Sequence, residues 1–247
     1  MRIIGIDCAT ADKNVGLALA EYEAGRLLVR KAEPGNRRDR PVVTISGWIR
    51  EAAGPVLLAL DAPLGWPEPM GRTLVSHNAG EPVEVGPNKL VRRETDRYIK
   101  AKLRKTPLDV GADKIARTAH AALSLLQELR DQLGLPIPLA WGPQLVGVSA
   151  IEVYPAATLI AHGFRSMGYK RPEQTKERRE LLASLTDFID IGACGNSAEG
   201  DADVLDAAIC TLAGLDFLAG QAMQPENLAL AQREGWIWAA VPREPWD

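Results

Sequence analysis

Two short runs, RIIGID at residues 2–7 and VLLALD at residues 56–61, are almost unbroken in apolar character and then stop on an aspartate. Hydrophobicity that continues without alternating suits a strand covered on both faces, as in a sheet with helices above and below it. A carboxylate at the tip of such a strand is unfavourable to bury alone. Asp7 and Asp61 must therefore face something that offsets their charge.

The other elements follow from pattern and punctuation. Residues 15–22 and 26–31 read as strands joined by the turn Glu23-Ala24-Gly25, so the chain opens as a three-stranded meander. Helical spacing over residues 42–53 stops at Gly54-Pro55. Residues 64–107 are broken by Pro and Gly and read as an insertion carrying a helix at about 92–103. The clearest amphipathic helix is 113–133, with Ile115, Ala119, Ala122, Leu126 and Leu129 on one stripe. A strand at 147–154 stops at Pro155, and helices are predicted at 156–162 and 172–188. A glycine-rich loop, 191–200, leads into a helix at 203–218; a short helix at 226–234 and a strand-like run at 236–241 follow. No repeat or linker composition divides the 247 residues. The order predicts one α/β domain, 1–247, with an insertion at about 64–107. Its sheet is mixed, the first three strands antiparallel and the later ones parallel, with helices at its flanks. Ligands of such sheets bind beyond the carboxyl ends of parallel strands.

Acids gather where that rule points. Asp7, Asp61 and Glu152 lie at or near the ends of three predicted strands. Asp203 and Asp206, three apart, share one face of a helix that is otherwise apolar and must lie on the sheet. Converging carboxylates repel, and a cation or a proton has to relieve them. An all-oxygen ligand set selects a hard divalent ion, Mg²⁺ or Mn²⁺, and such ions promote phosphodiester cleavage. The catalytic candidates are Asp7, Asp61, Glu152 and Asp206; the metal-ligand candidates are Asp7, Asp61, Asp203 and Asp206.

Bulk composition narrows the partners. A net charge of −3 is close to neutral, so nucleic-acid binding would need a local basic face. One exists: KLVRRETDRYIKAKLRK, residues 89–105, holds eight basic residues against two acids. Arg92, Arg93, Arg97 and Lys100 are its candidate phosphate contacts. The mixed-sign stretch 171–180 reads as plain exposed helix. The three cysteines are widely spaced without a CxxC pair, and no window is apolar enough to span a bilayer, so a reduced cytoplasmic protein without a structural zinc site is expected. Cys8 is expected to be a small core residue rather than a nucleophile.

The segments IIGIDCATADKNVGLALAE, LLALDAPLGWP, AIEVYPAATL and DADVLDAAICTLAG, with ETDRYI and the late EGWIW, resemble domain-of-unknown-function family 429. That family is described as predicted nucleases with an RNase H-like fold, and the likeness runs over nearly the whole chain. It implies a sheet of about five strands, with metal ligands on the first and fourth strands and the last long helix. Carried over, these are Asp7, Asp61 and Asp206, with Asp203 beside the last. The expected function is a divalent-metal-dependent nuclease acting on DNA or RNA. Two alternatives stand beside it. One is a non-catalytic module of the same fold that binds nucleic acid or protein. The other is a phosphotransferase of the sugar-kinase and actin superfamily, against which Pro63 speaks because it removes a backbone donor from the only candidate second phosphate turn.

Overall fold

The computed structural model describes residues 1–23, 25–35, 39–111 and 113–242. The predicted turn residue Ala24 lies outside them. In chain order the strands and α-helices are β1 (Arg2–Asp7), β2 (Gly16–Glu23), β3 (Arg26–Pro34), α1 (Pro41–Arg50), β4 (Val56–Asp61), α2 (Glu68–Leu74), α3 (Pro87–Leu90), α4 (Glu94–Leu103), α5 (Asp113–Leu133), β5 (Val148–Glu152), α6 (Pro155–Ala161), α7 (Thr175–Ser184), β6 (Ile189–Asp190), α8 (Gly195–Gly200), α9 (Ala202–Leu218) and α10 (Leu228–Glu234).

The sheet has six strands in the order β5-β4-β1-β2-β3-β6. β1, β2 and β3 pair antiparallel, while β1–β4, β4–β5 and β3–β6 pair parallel. The expected five strands are present; the sixth, β6, is a two-residue edge strand too short to leave a periodic signal. Two other expectations are corrected. The run at 236–241 does not form a strand. Its bridges are single ones on two separate partners, Ile237 with Glu152 and Ala240 with Ala222, so no ladder develops. The 191–200 segment is not a loop but a 3-10 turn, Gly192–Cys194, followed by α8, whose Ala198 is buried.

Apolar side chains fill both faces of the sheet, as the continuous runs require. On one face Ile3, Leu57, Ala59 and Ile151 pack with α9 and the flanking helices. On the other, Ile4, Ile6, Leu58 and Leu60 pack with α1 and α5. Strand side chains alternate between faces, so Asp7 and Asp61, in phase with Ile3 and Leu57, belong to the α9 face.

Helix α9 lies unusually close to that face, and two glycines permit it. A Cβ on Gly5 would overlap the Ala207 carbonyl oxygen, and one on Gly16 would overlap the Asp203 carbonyl oxygen. With no side chain at either place, the helix backbone rests directly on β1 and β2. Its small residues Ala207, Ala208 and Ala213 are fully buried at this contact. The first turns of α9 are thereby set beside the carboxyl end of β1.

Candidate metal centre

Parallel pairing of β1 with β4 puts Asp7 directly opposite Asp61. Helix α9 supplies Asp206 from above. One carboxylate oxygen from each of Asp7, Asp61 and Asp206 lies within 4.8 Å of the other two. Three carboxyl groups are thus brought together from chain positions more than fifty residues apart. Asp203 stands at the edge of this cluster, half-buried in the first turn of α9, and its charge acts on Asp7. The N-cap of α9 is Asp201, whose Oδ1 accepts the Asp203 N–H at 2.9 Å.

Electrostatics follow from the crowding. Burial first, and then the charges of Asp206 and Asp61, push the Asp7 carboxyl well above its ordinary range, with Lys170 pulling it back. Burial raises Asp61 to about 7, opposed by Lys170 and reinforced by Asp206 and Glu152. Burial also raises Asp206, which Lys170 and Tyr169 counter. These groups favour either a proton or a cation.

Two neighbours were not legible as site residues. Tyr169 donates its hydroxyl to Asp206 Oδ1 at 2.7 Å. The Lys170 ammonium makes an ion contact with Asp206 Oδ2. Both come from a loop between α6 and α7 that carries no periodic signal. What fixes the loop is Arg178, on the α7 stretch expected to be plain exposed helix. Its guanidinium is buried and donates to the carbonyls of Tyr169 and Arg171 at 2.8 Å, Pro172 at 3.2 Å and Glu199 at 2.6 Å.

Glu152 is not brought into the cluster. It pairs in register with Leu60 rather than Asp61, and although it lines the cavity beside the cluster, its carboxylate is taken up by other partners. Arg93 holds it through two parallel bonds, Nη2 to Oε1 at 2.7 Å and Nη1 to Oε2 at 2.8 Å, and the Leu64 N–H donates to Oε2 at 2.9 Å. Arg93 also donates to Asp96 Oδ1 at 2.9 Å. Burial works against the Arg93 cation, but Glu152 and Asp96 more than offset it and keep its pKa raised. This is the geometry of a bidentate pair, with both members almost wholly out of solvent; burial raises the Glu152 carboxyl and Arg93 pulls it back.

Arg93, expected to contact phosphate, is therefore committed internally. Arg92 is half-buried and donates to Asp109 at 2.5 Å, and Arg97 donates to the Arg92 carbonyl at 2.6 Å. Lys100 alone of the four is fully on the surface. The run of charge is a latch as much as a face. Glu234 completes the latch by accepting the Glu68 and Glu94 N–H groups, each at 2.7 Å.

Beside the cluster opens a cavity of about 300 Å³ whose lining includes Asp7, Asp61, Pro63, Leu108, Tyr154 and Lys170. Burial and the nearby Asp61 push the Tyr154 hydroxyl up to about 12, so it remains a proton donor at neutral pH. The Cys8 thiol, half-buried beside Asp7 and Asp61, is held well above its usual range by desolvation and by their charges. It is a thiol and not a nucleophilic thiolate.

The three carboxylates, from three elements, could hold a metal ion, with one Asp206 oxygen fixed by Tyr169 and the other met by Lys170. No helix among the described residues is long and apolar enough to cross a membrane. Compared with known families, the chain matches over residues 5–229 the one described as "Protein of unknown function (DUF429)". No curated protein matches it.

Proposed function

The chain belongs to the DUF429 family, and from that premise we propose that it is a divalent-metal-dependent phosphodiesterase acting on nucleic acid. The observation that carries this reading is the convergence of Asp7, Asp61 and Asp206 at the carboxyl end of parallel strands. Asp7 and Asp61 hold the floor of the site and Asp206 its roof. Asp203 reinforces the negative field from the edge. Mg²⁺ or Mn²⁺, the hard ions such oxygens prefer, would supply a polarised phosphoryl oxygen and a water of lowered pKa.

The chain's own groups support the rest. Tyr169 fixes the orientation of Asp206, and the Tyr154 hydroxyl is a protonated donor in the cavity wall. Lys114 and Arg117 are exposed on α5 next to Ile115 and Thr118, which line the same cavity. They give a basic approach suited to a phosphate backbone. At about 300 Å³ the cavity is at the small end of ligand sites. It suits one nucleotide unit rather than the width of a duplex.

The test is a pair of measurements. Mn²⁺ should raise the melting temperature of the wild type but not of an Asp7→Asn, Asp206→Asn double variant. Single-stranded, duplex and branched DNA, and RNA, should then be offered with Mn²⁺; cleavage of none would reject the nuclease reading. The contact of Lys170 with Asp206 favours a second reading, a non-catalytic binding module whose acids are neutralised from within. An unchanged melting temperature with Mn²⁺ would select it.

A further inference from the structure

We propose that Lys170 is a displaceable counter-ion: it neutralises the carboxylate cluster in the metal-free protein, yields Asp206 to an entering divalent cation, and then offers its ammonium to a phosphate oxygen of the substrate. The inference rests on the metal-dependent reading above and assigns that site a further residue.

Three observations carry it. First, Lys170 reaches in from solvent. Its side chain is 56% exposed, whereas that of Asp206 is fully buried. An ammonium so placed can leave without unpacking anything. Second, its charge acts on Asp7, Asp61, Asp203 and Asp206 alike, which is the position an entering cation would contest. Third, the two oxygens of Asp206 are divided between partners of different permanence. Tyr169, itself buried, holds Oδ1 through a hydrogen bond, while Lys170 meets Oδ2 from a side chain that is mostly in solvent.

The surrounding structure confines any movement to the lysine side chain. Arg178 ties the carbonyls of Tyr169, Arg171 and Pro172, so the loop stays in place when the ammonium departs. Lysine suits this role because its charge is compact and its stem flexible. Arg93, forked onto Glu152 and buried, is the opposite case and cannot be exchanged. Lys170 also lines the cavity beside the cluster. Its released ammonium would stay within reach of a phosphate held there.

The proposal makes metal and phosphate respond with opposite signs to one substitution. Full-length wild type, Lys170→Gln and Lys170→Arg would be titrated with Mn²⁺ by calorimetry, with a melting curve for each. Lys170→Gln should bind Mn²⁺ more tightly by about tenfold or more, because a competing charge a few ångströms away is gone. Loaded with Mn²⁺, it should bind thymidine 5′-monophosphate more weakly than the loaded wild type. Lys170→Arg keeps the charge and should gain no Mn²⁺ affinity. Mn²⁺ binding by Lys170→Gln alone would overturn the proposal, because the lysine would then be a fixed counter-ion that the wild type does not yield. Unchanged or weaker Mn²⁺ binding by a normally melting Lys170→Gln, or equal tightening in Lys170→Arg, would overturn it while leaving the metal site intact. No Mn²⁺ binding by any of the three would overturn both.

Discussion

Replacing Asp61 by Asn should make the metal-free protein more stable, and by an amount that depends on pH. Asp61 has an ordinary pKa of 3.8 and is raised to about 7 in the fold. A carboxyl raised on folding takes up protons as the chain folds. Its contribution is intact below pH 3.8 and is lost as pH rises towards 7. The full gap corresponds to roughly 4 kcal/mol. Asp7 and Asp206 crowd the same space and share the relief, so about 2–4 kcal/mol is expected at pH 8. Asn keeps the shape and removes the charge, so its advantage should be small near pH 4, grow up to about pH 7 and then level off. For a chain of this size each kcal/mol moves the melting temperature by roughly 2–4 °C. The assay is thermal unfolding of both proteins in EDTA from pH 5 to pH 8. A gain that does not vary with pH, or a less stable Asn variant at pH 8, would refute the crowding argument. Excess Mn²⁺ should reverse the order of the two proteins, since the wild type alone keeps all three carboxylates.

Arg93→Met should cost about 3–5 kcal/mol in denaturant unfolding, because Glu152 and Asp96 are left buried without their partner; a loss under 1 kcal/mol would contradict the latch. Gly5→Ala should cost about 1–3 kcal/mol by pushing α9 off β1, and it should abolish the Mn²⁺-dependent rise in melting temperature; retained metal stabilisation would show that helix seating does not set the carboxylate spacing. Tyr169→Phe takes the donor from Asp206 Oδ1 and should lower metal-free stability by about 1–3 kcal/mol, read by the same unfolding curves.

What the sequence disclosed depended on whether one element sufficed to reveal it. Asp7 and Asp61 are legible because apolar runs ending in acid identify buried strands, and the parallel rule sends their ends to one edge. Asp206 is legible because its helix is too apolar to lie anywhere but on the sheet. Glu152 looks equivalent to Asp61 along the chain. What sets it apart is the fork of Arg93 and the Leu64 N–H, partners that its own strand does not announce. Arg93 is hidden among eight basic residues because composition records charge and not what the charge meets. Lys170 and Tyr169 lie on an irregular loop held by an arginine some ten residues further on, and no spacing rule links the three. Gly5 reads as an ordinary strand glycine until the crossing helix is in place.

The Glu234 end of the latch bears on where this chain can be cut. The family match stops at residue 229, yet Glu234 caps the backbones of Glu68 and Glu94, the Ile237 N–H reaches Thr95, and Trp236 and Trp238 are buried in the core. A fragment trimmed to the matched boundary would lose both tryptophans and strand the amides they help to enclose. The recognisable sequence signature and the cooperative folding unit thus have different ends, and a minimal expression fragment has to follow the second.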